Sequence, residues 1–74
     1  MAVFEMERDE FIRANMDGED AFRKIAARGV DIADGEELCS AFDDIADEAG
    51  WTGDYRSAAY ASLLMTRDTE MGWD

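Results

Sequence analysis

Asp34-Gly35-Glu36-Glu37-Leu38-Cys39-Ser40-Ala41-Phe42-Asp43-Asp44-Ile45-Ala46-Asp47-Glu48-Ala49-Gly50 is the stretch on which the fold turns. Asp34 is a helix-starting residue, and Glu37 follows three positions later, the spacing of a capping box with Asp in place of Ser or Thr. Leu38, Ala41, Phe42, Ile45, Ala46 and Ala49 then recur at three and four residues, the period of one helical face. Gly50 supplies a stop, and Trp51 the apolar residue that packs back across such a stop. The pattern predicts a helix over 34–49, with Leu38, Phe42, Ile45 and Ala49 turned to a core.

The same signals extend outward. Asp17-Gly18-Glu19-Asp20 reads as a cap with acids in a first turn, where the helix dipole favours them. It divides the N-terminal part in two. A helix over 2–16 places Phe4, Phe11 and Ile12 near one face, with Val3 and Met16 beside it. A helix over 18–28 places Ala21, Phe22, Ile25 and Ala26 on a stripe and Arg23, Lys24 and Arg28 toward its end. Gly29 then stands where helices stop, and Val30 where it can pack back near Ile25.

Downstream, Thr52 or Asp54 can cap a last helix over 54–66. It carries Tyr55, Ala58, Ala59, Ser62 and Leu63 on one side and Tyr60 and Leu64 on another, which suits a central position or an oligomer contact. The tail 67–74 keeps Met71 and Trp73 without clear period and reads as a flexible end or a lid. No stretch alternates as a strand would, and nothing repeats. The expectation is an all-α fold, a small compact bundle of about four short helices forming a single domain over 1–74.

Composition limits what such a bundle can do. Seventy-four residues support one core, and 47% hydrophobic residues set the chain apart from a disordered acidic tail. No apolar run reaches the roughly 18 residues of a membrane span. Acids stand near Met1 where a signal peptide carries bases, and Cys39 has no second cysteine to pair with, so a bacterial cytoplasm is the expected location. Nineteen acids against seven bases and no His give a net charge of −12. That charge repels nucleic acids and anionic membranes, so neither is expected as a direct partner.

The charge is concentrated. Between Arg28 and Arg56 the chain holds Asp31, Asp34, Glu36, Glu37, Asp43, Asp44, Asp47, Glu48 and Asp54 and no base. On the helix over 34–49, Asp43 with Asp47 and Asp44 with Glu48 are like-charge pairs at i,i+4, about 5–6 Å apart between Cβ atoms. Carboxylates spaced along a rod in this way form a crude copy of a phosphate ladder. The plainer account is that solvated carboxylates keep a small protein soluble, and that a salt-adapted or high-GC genome yields one Lys, six Arg and eleven Asp.

Catalysis and metal binding find little support. With Gly35 at the sixth position of a calcium loop, Val30 and Ala41 would stand at the first and twelfth, and neither can ligate. No nucleophile has a recognisable base beside it, and Cys39 reads as a small packing residue. No enzyme activity, cofactor or metal is expected. Acyl carrier proteins are acidic helical bundles of similar length, but their Asp-Ser-Leu attachment motif is missing. Ser40, Ser57 and Ser62 stand in Cys-Ser-Ala, Arg-Ser-Ala and Ala-Ser-Leu.

In size, acidity and lack of catalytic residues the chain resembles the small anti-defence proteins of bacteriophages, nucleic-acid-mimicking anti-CRISPR and anti-restriction inhibitors among them. The resemblance lies in general character. It implies a non-catalytic inhibitor whose acids, the nine residues from Asp31 to Asp54, occupy a basic nucleic-acid-binding protein or complex and exclude its DNA or RNA. The alternative is a small helical interaction module or homodimer with apolar contacts through Tyr60, Leu64, Met71 or Trp73.

The excess charge has a consequence for stability. Raising NaCl from about 10 mM to about 1 M shortens the Debye length from about 30 Å to about 3 Å and relieves self-repulsion. The melting temperature is expected to rise over that range. A flat or falling value would show that repulsion does not limit the fold.

Overall fold

A computed structural model describes residues 6–73, in which three helices follow one another: α1, Arg8–Ala27; α2, Gly35–Ala49; and α3, Gly53–Met71. No strand occurs among these residues. The helical class is as expected, but the helix number is three where the sequence suggested about four. The two expected N-terminal helices are one, since α1 runs for 20 residues through Asp17-Gly18 without a break. Val3 and Phe4 lie outside the described residues.

The reason is tertiary. Gly18 is buried inside α1 with no left-handed backbone, and a Cβ placed on it would lie 2.3 Å from the Ala59 carbonyl oxygen and 2.7 Å from the Ser62 Cβ. This glycine therefore marks a close backbone approach between α1 and α3, and it does not end a helix. Asp17, read from sequence as a cap, points instead across the interface and accepts a hydrogen bond from the Tyr55 hydroxyl. Burial, the hydrogen bond to Asp17 and that carboxylate's charge push the Tyr55 phenol up to about 12. Ser62 Oγ donates to the Asn15 carbonyl at 2.8 Å, so the one buried polar side chain at the contact is satisfied.

Helix α2 forms as its sequence predicts. Asp34 Oδ1 accepts from the Glu36 and Glu37 amides at 3.0 and 3.3 Å. The Asp34 amide itself donates to the Asp31 carbonyl, so the reciprocal half of a capping box is taken over by the preceding turn. Gly50 adopts φ +80°, and the Trp51 amide reaches back to the Ala46 carbonyl at 2.9 Å. Helix α3 continues past the expected end at 66 to Met71, so most of the supposed tail is helical. Trp73 then lies over the Arg67 guanidinium, 5.1 Å from ring centroid to carbon, and stays half exposed.

The core is small. Its large members are Phe22, Ile25, Leu38, Phe42 and Leu63; the rest are Ala14, Ala21, Ala46, Ala58 and Ala59. Phe42 is the hub of an aromatic group, with Tyr60 at 5.0 Å and Trp51 at 6.0 Å between ring centroids. Several sequence assignments are corrected here. Phe11 and Ile12 are 39% and 45% exposed, and Ala26 and Ala49 face solvent. Tyr60 and Leu64, expected as contact residues of an apolar module, pack against the core.

In an ordinary helix interior Ala is better than Gly by roughly 0.5–1 kcal/mol. At position 18 the added methyl meets backbone, so Gly18→Ala is expected to destabilise by about 1–3 kcal/mol. Gly35→Ala, with open space around its Cβ, should be neutral or slightly stabilising. Denaturant unfolding of the two variants checks the opposite signs.

Candidate functional site

All nine acids of the charged window are exposed. The structure divides them by what their carboxylates do. Asp31 and Asp34 build the turn into α2: Asp31 Oδ1 accepts from the Ala33 amide at 3.1 Å, and Asp34 caps the helix. Asp43 and Asp47 are bridged by one residue of α3. Arg56 places Nη2 2.8 Å from Asp43 Oδ1 and Nη1 2.8 Å from Asp47 Oδ1. Its hydrogen bonds to the Asp47 and then the Asp43 carboxylate hold the Arg56 guanidinium above its ordinary range. Asp54 lies in the first turn of α3, where the helix dipole favours an acid.

The remaining four are Glu36, Glu37, Asp44 and Glu48, for which no side-chain hydrogen bond or ion pair is seen among the described residues. At 100° per residue the acids of α2 fall into two rows. Glu36, Asp43 and Asp47 form the row that Arg56 joins. Glu37, Asp44 and Glu48 form the second, on the flank toward the end of α1. There the row is bordered by bases: Arg28 lines a shallow groove of about 410 Å³ with Glu37 and Asp44. Lys24 and Arg28 line another of about 500 Å³ with Glu48.

This corrects the one-dimensional picture. The window without bases in sequence has three bases at its borders in space, Arg56 on one side and Lys24 and Arg28 on the other. None of this was legible from periodicity, because each of these contacts crosses between helices. What remains is a strip about one helix long, roughly 20 Å at 1.5 Å per residue, of exposed carboxylates with cations along its edges.

Elsewhere the chemistry is sparse. No three His, Cys, Asp or Glu residues are grouped to hold a metal ion among the described residues. Cys39 is half-buried beside Tyr60, whose phenol is raised by burial and by that neighbour. No described helix is long and apolar enough to cross a membrane. No protein-family model, curated protein or solved structure matches the chain.

The Arg56 bridge should matter to the fold as well as to the surface. Without it Asp43 and Asp47 are an uncompensated like-charge pair. Arg56→Gln is expected to lower the melting temperature at low salt, with the difference shrinking as salt is added. Combining it with Asp43→Asn and Asp47→Asn should restore most of the loss. A deficit independent of salt would mean that the guanidinium acts through packing alone.

Proposed function

We propose that the protein is a non-catalytic acidic inhibitor that binds a basic nucleic-acid-binding surface of a host defence protein, of CRISPR or restriction type, and blocks access of DNA or RNA. The observation that carries this reading is the double row of six carboxylates along α2, all exposed, of which only Asp43 and Asp47 are engaged by a partner side chain among the described residues. Lys and Arg groups that line a nucleic-acid channel expect negative charge at regular spacing on a rod, and α2 offers it. Arg56 holds Asp43 and Asp47 in fixed positions, which lowers the entropy lost when a partner's cations engage the neighbouring acids. Electrostatic steering makes the association fast and weakened by salt. No cofactor takes part.

The test uses purified CRISPR effectors and restriction nucleases cleaving labelled DNA at low and high salt. Stoichiometric inhibition is expected. Asp44→Lys with Glu48→Lys should weaken it by at least ~10-fold, a loss of about 1.4 kcal/mol or more in binding. Asp9→Lys with Glu10→Lys makes the same change in net charge on α1 and should leave inhibition nearly intact, with helicity checked by circular dichroism in both. Equal losses in the two variants would reduce the effect to net charge. Full inhibition by the α2 variant would overturn the assignment of the site.

A further inference from the structure

Among the described residues, the large apolar side chains that remain exposed lie on α1, in the second half of α3 and just beyond its end, and none lies on α2. Phe11 and Met65 line one open groove of about 610 Å³ between α1 and α3, to which α2 contributes no residue. Ile12 and Met16 continue the surface along α1. By helical angle Ile12 shares the sector of Glu19 and Arg23, which line the groove, and Met16 borders it. Met65 is 70% exposed and Met16 61%. These features do not belong to the acidic surface.

We infer that this groove is the contact surface between two copies of the chain in a symmetric dimer. Area is the first argument. A standard interface takes about 800 Å² from each partner, and homodimer interfaces are about 65% apolar, which asks for roughly 500 Å² of apolar area per copy. With about 200 Å² for a fully exposed large side chain, Phe11, Ile12, Met16 and Met65 leave on the order of 400 Å² in water. The methyl groups of Thr66 and Thr69 and the stem of Arg23 supply the remainder.

Charge is the second argument, and it selects a second copy over the basic partner expected at α2. Helix α1 carries Arg8, Arg13, Arg23 and Lys24 against Asp9, Glu10, Asp17, Glu19 and Asp20, and is close to neutral. Helix α2 has six acids and no base. A copy approaching over α1 and α3 therefore meets the least repulsive side of an otherwise acidic molecule. The groove walls carry both signs, with Arg23, Glu19 and Glu70. A two-fold contact can set Arg23 of one copy against Glu70 of the other. Arg23 is available for this, because its bridges to Glu19 and Asp20, at 3.8 and 3.3 Å, are exposed. The third argument is the core, half of which is alanine; chains of this size commonly gain burial by self-association. The dimer leaves α2 outside its interface, so each particle carries two acidic strips.

Sedimentation equilibrium on the full chain from about 10 μM to about 1 mM tests this. The expected mass approaches twice 8.3 kDa at the upper end, and the dimer tightens with salt as net repulsion is screened. Met65→Glu and Met65→Lys should each weaken it by at least ~10-fold, since the contact is apolar, with helicity unchanged at so exposed a position. Asp44→Lys with Glu48→Lys should leave the mass unchanged, which separates this proposal from the inhibitor reading. A monomer at every concentration overturns it and leaves the groove to a different protein. A dimer indifferent to both Met65 variants overturns it by placing the interface elsewhere.

Discussion

The rest of the structure depends on how closely α1 and α3 approach at Gly18. There the backbone of one helix lies against the backbone of the other, and no side chain separates them. That distance lets Ser62 reach the Asn15 carbonyl and Tyr55 reach Asp17. It also explains why alanine fills so much of the core: between helices this close, larger side chains do not fit. The larger residues sit where α2 closes over the pair, and Phe42 with Trp51 and Tyr60 fills the wider space there. A core assembled this way has few large side chains, so its margin of stability rests on close packing more than on buried area.

Helix α2 presents the opposite balance. Its own acids repel along both rows, a cost of a few tenths of a kcal/mol per i,i+4 pair, and no base within the helix relieves it. Relief comes from elsewhere in the chain. Arg56 enters from α3 between Asp43 and Asp47, and Lys24 and Arg28 border the other row from α1. The same packing that covers the apolar side of α2 therefore sets cations along the edges of its acidic side. The middle of that side is left to solvent or to a partner. The bundle thus separates its surfaces, with negative charge on α2 and exposed apolar side chains on α1 and the end of α3.

Much of this was legible in the sequence, and the failures share a cause. Helix α2 was readable because its signals are local: Asp34 satisfies amides two and three residues away, Leu38, Phe42 and Ala46 repeat at helical spacing, and Gly50 takes the left-handed stop. The nine acids were readable as an exposed set for a similar reason, since charged side chains avoid burial unless paired. Asp17-Gly18 was misread because an Asp-Gly pair that begins a helix and one that lies inside a helix look alike along the chain. Tyr55 and Ala59, which decide between them, lie about 40 positions away. The end of α3 was misread because its last turns are held by a cap and by the Arg67 and Trp73 contact, with little apolar period to mark them.

Periodicity, capping residues and clustered charge act over one or two turns, so an all-helical chain, the bounds of α2 and the concentration of acids upon it follow from local sequence. The number of helices, the bases that border the acidic strip, and the exposure of Phe11 and Met65 were decided only by tertiary structure. Each depends on which backbone approaches which. That is settled by close packing between residues far apart in the chain, where no local spacing records the outcome.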